Sequence, residues 1–255
     1  MKLRILSDLH TEFWKGESLE YKKRFFVQDW TNQQNDVLIL AGDISVGPAK
    51  LKFTLEYFSE YSNHVIYIPG NHEYYGYNLE SYKDLKLPSN VHFLNPGWIK
   101  LEDVTFIAAT LWTDFHNDPI AAFDASRGIT DFKRIKTKHE PFRFTPKDCQ
   151  NLHVKERKFI LDAYKSLPGR KVIITHFIPH ETLITPYWQQ HGGLLNKYFA
   201  PNMDLEYLQP EVWVFGHTHD CSDQVIGNTR FVANPFGYLG YENQEDFDPS
   251  KIIEL

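Results

Sequence analysis

Short apolar runs recur along the whole chain and predict β-strands. The runs at residues 36–42, 64–69 and 171–176 are almost continuously apolar, which is typical of strands buried on both faces of a sheet. The complete set of predicted strands covers about residues 3–8, 36–42, 64–69, 91–94, 104–111, 171–176, 211–215, 229–233 and 251–254.

Three segments between the strands show apolar residues at helical spacing instead. They cover residues 19–30, 49–61 and 151–167. The apolar face of the third segment consists of Leu152, Ile160, Ala163, Tyr164 and Leu167. Pro168 and Gly169 follow this face, and we expect the helix to end there because proline and glycine rarely continue one.

The order of these elements predicts an α/β fold. Strands alternate with helices in the first half of the chain, which favours βαβ units and a largely parallel sheet. The second half contains strands joined without helices, which indicates a second sheet packed on the first. No internal repeat or linker interrupts the pattern, so we expect a single domain over residues 1–255.

Composition and charge narrow the class of protein. Hydrophobic residues make up 42% of the chain, and 27 basic against 33 acidic residues give a net charge of −6. Such a charge does not favour long nucleic acids as partners. No apolar stretch approaches the ~20 residues that cross a bilayer. Two cysteines and the absence of an N-terminal signal pattern favour a reducing, cytoplasmic setting.

One segment departs from the acidic average. Residues 127–158 contain ten Lys or Arg and four Asp or Glu. The segment is either a solvated surface or part of a basic cap, at about residues 115–158, that attracts phosphate-bearing substrates. Under the cap hypothesis, charge reversal at Lys133, Arg134 and Lys136 raises the Michaelis constant and leaves the metal content unchanged.

Metal-binding residue types follow five of the apolar runs. They are Asp8 and His10, Asp43, Asn71 and His72, His176, and His217 and His219. Each motif alone has a structural explanation, since an aspartate can cap a turn or a helix and a histidine is often a core or rim residue. The ordered set, with each motif at a strand end, indicates a site for two metal ions at the edge of a sheet.

The chemistry of these residues suits such a site. Alternate residues of an extended segment point to the same side, so Asp8 and His10 are expected to reach one cation if the strand geometry continues past the strand end. Gly70 is expected to permit an unusual backbone turn. The two oxygens of Asp43 allow it to bridge two cations. Imidazole and carboxylate ligands favour Mn or Fe, and Zn is an alternative.

The motifs resemble those of the calcineurin-like metallophosphoesterase family over residues 8–219. The resemblance implies a four-layer α-β-β-α sandwich of two mixed sheets flanked by helices, with two divalent metal ions at the sheet edge. It implies these ligands: Asp8, His10 and His219 for the first metal, Asn71, His176 and His217 for the second, and Asp43 for both. His72 is the family's candidate for protonating or stabilising the leaving group.

These features predict a phosphoesterase that hydrolyses a phosphomonoester or phosphodiester with a hydroxide that the two metals activate. The acidic net charge favours a small, nucleotide-like substrate. One alternative is a metal-dependent nuclease, in which the basic segment binds nucleic acid. Another is a non-catalytic scaffold that keeps the fold.

Three further residues are candidates for contacting the substrate. Trp112 and Asp114 belong to a stretch that resembles one in some bacterial and phage relatives, and His180 is close to His176 in the chain. For Trp112 the alternative is a place in the hydrophobic core.

Overall fold

The computed structural model describes residues 1–14, 36–138, 142–242 and 245–255, and the predicted helix over residues 19–30 lies outside them. The described strands are β1 (Lys2–Leu6), β2 (Val37–Ala41), β3 (His64–Ile68), β4 (Val91–Phe93), β5 (Gly97–Leu101), β6 (Val104–Ala109), β7 (Arg170–Thr175), β8 (Val212–Phe215), β9 (Ser222–Ile226), β10 (Thr229–Ala233) and β11 (Ile252–Glu254). The described α-helices are α1 (Pro48–Ser59), α2 (Pro119–Gly128), α3 (Asp131–Arg134), α4 (Pro146–Ser166), α5 (Pro186–His191) and α6 (Asn196–Phe199).

The strands form two mixed sheets. The first sheet has the order β11-β1-β2-β3-β4, in which only β11 is antiparallel to its neighbour. The second has the order β5-β6-β7-β8-β10-β9, with antiparallel strands β5 and β9 at its edges. The central strands of both sheets are parallel, as the alternation of strands and helices in the sequence predicts for the first.

Alternate side chains of each sheet pack between the two sheets, and the other side chains pack against helices. Ile39 of the first sheet and Val214 of the second belong to one buried cluster. On the outer face of the first sheet, Leu38 packs in a cluster with Leu51 of α1. On the outer face of the second sheet, β-strand residues pack in a cluster with Ile160 of α4. The order helix, sheet, sheet, helix confirms the predicted four-layer sandwich.

The prediction from apolar runs omits β5 and β9, the edge strands of the second sheet. Trp98 in β5 is 49% exposed and Val225 in β9 is 68% exposed. An edge strand has a partner on one side only and buries less of its surface, so its sequence carries a weaker apolar pattern.

Helix α4 begins at Pro146, earlier than the predicted start at residue 151. The Thr145 side chain accepts a hydrogen bond from the backbone N–H of Asp148, and the Asp148 carboxylate accepts one from Thr145 N over 2.9 Å. This capping box, with proline in the first turn, is a start signal that an apolar pattern does not contain. In the described part of the chain no helix is both long and apolar enough to cross a bilayer.

Candidate metal centre

The predicted ligands lie where parallel strands end. Asp8 follows β1, Asp43 follows β2, Asn71 follows β3, His176 follows β7 and His217 follows β8. The carboxyl ends of parallel strands meet at one edge of a sheet. The backbone N–H of His217 donates to Asp8 Oδ1 over 3.1 Å, which joins these edges of the two sheets.

Five of the predicted ligands have left-handed backbone conformations. The angle φ is 51° at Asp8, 44° at His10, 55° at Asp43, 80° at His217 and 56° at His219. Such conformations are strained for residues other than glycine, and they concentrate at functional sites. They also correct the expectation for Asp8 and His10, because the two side chains converge through a turn and not along an extended strand.

Hydrogen bonds between neighbouring turns hold this backbone in place. Asp8 N donates to the carbonyl oxygen of Gly42 over 2.9 Å, and His10 N donates to that of Asp43 over 3.0 Å. The carboxylate of Glu73 accepts hydrogen bonds from four backbone N–H groups, including that of Asp43 at 3.0 Å. The turns after β1, β2 and β3 therefore stabilise one another.

Two glycines allow ligand side chains to approach the backbone closely. A Cβ atom added at Gly70 would lie 2.2 Å from Asp43 Oδ1, and one added at Gly216 would lie 2.5 Å from Asp8 Oδ2. Gly70 does not have a positive φ. The prediction that Gly70 permits an unusual turn is therefore wrong, and the space that it leaves for the carboxylate explains the glycine.

The first group of converging side chains consists of Asp8, His10 and His219. Their ligand atoms lie within 4.8 Å of one another. His10 Nε2 is 3.0 Å from His219 Nε2, and His219 Nε2 is 3.5 Å from Asp8 Oδ1. The structure thus brings together the three residues that the family resemblance implies for a first metal.

The second group consists of Asp43, His176 and His217, whose ligand atoms also lie within 4.8 Å of one another. Asn71 Oδ1 is 3.1 Å from His176 Nε2. The two oxygens of Asp43 face different histidines, with Oδ1 3.5 Å from His176 Nε2 and Oδ2 3.7 Å from His10 Nε2. Asp43, a member of the second group, therefore also faces the first group.

Hydrogen-bond partners outside the centre fix the tautomers of the histidines. His10 Nδ1 is 3.1 Å from Glu12 Oε1, and His219 Nδ1 is 2.7 Å from Glu242 Oε2. His176 Nδ1 is 2.9 Å from a backbone carbonyl oxygen. Because these oxygens accept hydrogen bonds, each Nδ1 carries the proton and each Nε2 turns a lone pair towards the centre. No sequence motif had singled out Glu12 or Glu242.

This set of donor atoms fits divalent cations. Lone pairs of imidazole nitrogens and carboxylate oxygens face one another across the centre. Among the described residues, the buried Nε2 of His217 has no hydrogen-bond partner. A buried polar atom without a partner is costly, and a metal ion satisfies such an atom. Imidazole and carboxylate ligands are suited to Mn, Fe or Zn.

A buried carboxylate outside the centre orients the Asn71 amide. Asp131, the first residue of α3, is buried and accepts a hydrogen bond from Asn71 Nδ2 over 2.8 Å. Asp131 also accepts hydrogen bonds from the hydroxyl groups of Tyr75, at 2.8 Å, and of Tyr198. Because the amide nitrogen is engaged in this way, the amide oxygen faces His176.

Asp131→Ala is expected to weaken binding of one of two metal ions and to leave the other bound. Loss of the acceptor for Asn71 Nδ2 frees the amide to rotate, and loss of such an outer partner costs about 10- to 100-fold in metal affinity. Asp131→Asn keeps an acceptor oxygen and should retain most of the affinity. Calorimetric titration with Mn²⁺ checks both variants. Two unchanged binding steps in Asp131→Ala would contradict the orienting role.

His72 lies beside both ligand groups. Its backbone N–H donates to Asp43 Oδ1 over 2.8 Å, and its Nε2 is 3.1 Å from the hydroxyl oxygen of Tyr238. Its Nδ1 is 3.6 Å from Glu12 Oε1. Burial lowers the pKa of His72, but the carboxylates of Asp43 and Glu12 outweigh burial and raise the pKa above its usual value. The ring therefore lies at the edge of the centre, between Asp43 and Tyr238.

A cavity of about 490 Å³ opens at the centre. Asp43, Asn71, His72, His217 and His219 are among its lining residues. The segment predicted as a basic cap, at about residues 115–158, contributes residues 129–131 and Arg134 to the lining.

The structure does not bring the three predicted substrate contacts to this cavity. Trp112 is buried in the core, with its ring centroid 4.9 Å from that of Phe144. The Asp114 carboxylate accepts a hydrogen bond from His116 N over 2.9 Å and caps a short 3₁₀ helix. His180 caps another such helix. None of the three is among the described residues that line the cavity.

Comparisons with known proteins agree with this geometry. The sequence profile of a family described as calcineurin-like phosphoesterase matches residues 1–221. Uncharacterized protein L509 of Acanthamoeba polyphaga mimivirus is 25% identical over 277 residues, which cover 99% of this chain and 96% of the viral protein. The crystal structure of phosphopantetheinyl hydrolase from Mycobacterium tuberculosis has a similar fold, with a TM-score of 0.66 and 17% identity over 93% of this chain and 89% of the hydrolase.

Proposed function

The chain belongs to the calcineurin-like phosphoesterase family, and we propose on this basis that it hydrolyses a phosphomonoester or phosphodiester with two divalent metal ions. The observation that carries the proposal is that Asp43, a member of the second group of converging ligand atoms, also faces the first group. A carboxylate with one oxygen towards each group is suited to bridging two cations.

The proposed ligands are the ones that the family resemblance implies. Asp8, His10 and His219 would hold the first metal, Asn71, His176 and His217 would hold the second, and Asp43 would contact both. The donor set of imidazole nitrogens and oxygens supports Mn or Fe, with Zn as an alternative. When bound, two such cations supply positive charge to the phosphoryl oxygens and lower the pKa of a water molecule.

The side chains around the centre supply the other parts of the proposed reaction. His72 would donate a proton to the leaving oxygen, and Tyr238, in contact with His72 Nε2, would help to orient the ring. Glu12 lies near Nδ1 of His72 and holds Nδ1 of His10. Burial raises the pKa of Glu12, but hydrogen bonds from His10 and His72 outweigh burial and lower it to about 2. Glu12 is therefore suited to act as a fixed negative charge.

A small organic phosphate ester, such as a nucleotide-like molecule, is the proposed substrate class. The cavity volume of about 490 Å³ is typical of sites for small molecules. The nuclease alternative is less well supported, because Arg134 is the only lysine or arginine among the described residues that line the cavity. The two cysteines, Cys149 and Cys221, are free thiols, which supports the proposed cytoplasmic setting.

Metal analysis and hydrolysis assays test the proposed function. We expect about two equivalents of Mn or Fe per chain, loss of activity after chelation, and recovery after addition of Mn²⁺. The assays use p-nitrophenyl phosphate, bis-p-nitrophenyl phosphate and short single-stranded DNA, and the p-nitrophenyl esters are expected to react faster. One tightly held zinc ion with no hydrolysis of any substrate would support the scaffold alternative instead.

A further inference from the structure

One positively charged side chain at the cavity has no role in the proposed reaction. Arg134, at the end of α3, is exposed and lines the cavity. Among the described residues it forms no ion pair, whereas Arg170 pairs with Glu211 and Arg230 pairs with Asp223. A guanidinium group that lines a substrate cavity without a carboxylate partner is available to an anionic group of a ligand.

Contacts with Tyr75 and Gly76 hold Arg134 in position. The guanidinium carbon lies 5.0 Å from the centroid of the Tyr75 ring, in a cation–π contact. The backbone carbonyl of Arg134 accepts a hydrogen bond from Gly76 N over 3.0 Å. Tyr75 is itself fixed, since it is buried and its hydroxyl donates to Asp131. The position of the charge is therefore built into the fold.

Tyr75 also connects Arg134 to the proposed acid. The centroid of the Tyr75 ring is 4.1 Å from that of His72, and the two rings are tilted by 31°. Arg134 and His72 thus both contact Tyr75. Since His72 is the proposed proton donor to the leaving oxygen, Arg134 lies on the side of the cavity where the leaving group would be.

Apolar side chains line another part of the same cavity. They are Ile184, Trp188, Leu195 and Phe199. Trp188 is 43% exposed and Leu195 is 37% exposed, so both are open to a ligand. Exposed apolar surface of this kind, next to a polar centre, is typical of sites that bind the organic part of a small molecule.

We propose that Arg134 is a specificity-determining residue that binds a second anionic group, carried by the leaving group of the substrate. This inference rests on the proposed function and deepens it. The substrate class is then a phosphate ester of an alcohol with an apolar body and a distal carboxylate or phosphate. The apolar body lies against Trp188 and Leu195, and the distal anion forms charge-assisted hydrogen bonds with the guanidinium group.

Matched pairs of esters test this assignment. The probes are n-alkyl phosphates and ω-phosphonooxy alkanoates of equal chain length, which differ only by a terminal carboxylate. At the chain length that reaches Arg134, we expect wild-type kcat/KM to favour the carboxylate-bearing ester by about tenfold or more. The preference should lie mainly in KM, because the distal contact is the same in the ground and transition states.

Four variants separate the role of Arg134 from general effects of charge and folding and from the role of the apolar wall. Arg134→Ala is expected to lose the preference, and Arg134→Lys should keep part of it. Lys133→Ala is the control, because it removes the same charge from the same helix at a position that does not line the cavity. Trp188→Ala should raise KM for long-chain esters with and without the carboxylate.

Failure of this inference differs from failure of the proposed function. If the metal-loaded wild type hydrolyses both series equally at every chain length, Arg134 does not bind a distal anion and the phosphoesterase proposal is unaffected. Equal loss of preference in Arg134→Ala and Lys133→Ala would also overturn the inference. If neither series is hydrolysed, calorimetry with non-hydrolysable ω-phosphonoalkanoates and alkyl phosphonates still tests Arg134. Arg134→Ala should raise the Kd of the ω-phosphonoalkanoate more than that of the alkyl phosphonate. An equal effect on the two Kd values rejects the role of Arg134.

Discussion

Asp43→Asn is expected to abolish turnover and to leave the fold intact. The two oxygens of Asp43 lie 3.5 Å from His176 Nε2 and 3.7 Å from His10 Nε2, in different ligand groups. Asparagine is neutral and keeps only one ligand oxygen, because an N–H donor replaces the other, so it cannot bridge two cations. Because a metal ion contributes several kcal/mol of transition-state stabilisation, we expect kcat to fall by about 10³-fold or more. Steady-state kinetics with p-nitrophenyl phosphate measure this loss.

Metal content and thermal unfolding show whether the loss has the proposed cause. The amide oxygen of the variant can still accept the hydrogen bond that His72 N donates to Asp43 over 2.8 Å. The Tm of the metal-free variant should therefore stay within about 4 °C of the wild type. Asp114→Asn is the matched control, since Asp114 does not line the cavity. An Asp43→Asn protein that keeps both metals and most of its activity would refute the bridging role.

His72→Ala is expected to retain both metals. The loss in kcat should be larger for substrates whose leaving-group oxygen is more basic. A positioned acid contributes about 10²- to 10⁴-fold where the departing oxygen is basic, as in alkyl esters. Nitrophenolate leaves without a proton, so nitrophenyl esters should be affected far less. The measurement is a plot of log kcat against the pKa of the leaving group, which should be steeper for the variant than for the wild type.

A second histidine variant serves as the control for this experiment. His180→Ala removes an imidazole that does not line the cavity and should leave the plot unchanged. Equal loss of rate for alkyl and nitrophenyl esters in His72→Ala would contradict proton donation by His72. Loss of a metal ion from the variant would instead indicate that His72, which has a ligand atom within 4.8 Å of those of His10 and Asp43, acts as a ligand.

Most of the central fold could be predicted from local sequence. A strand buried on both faces requires a continuous apolar run, and the run over residues 36–42 contains the whole of β2. The prediction was poorer where burial is weaker, as at the edge strand β9, and where a cap sets the boundary, as at Thr145. An apolar pattern indicates which positions are buried. It gives no information on where an edge strand pairs or which residue caps a helix.

The predicted ligands could likewise be identified in the sequence, because they directly follow apolar runs that predict strands. The motifs at Asp8, Asp43 and His217 each follow an apolar run, and the sheets bring them to one edge. The backbone geometry could not be predicted in the same way. Asp8 and His10 adopt left-handed conformations and donate backbone hydrogen bonds to carbonyl oxygens of the turn after β2, and the sequence of β1 contains no sign of those partners.

Local sequence therefore specified most of the strands and the residue types at their ends, because each depends on burial over a few neighbouring positions. The partners of those residues depended on how distant turns meet once the sheets have packed. Asp131 contacts Asn71 across 60 positions of the chain, and Glu242 contacts His219 across 23. The same packing buried Trp112 and placed Arg134 at the cavity. Such contacts arise from three-dimensional proximity, which the spacing of residues along a chain does not encode.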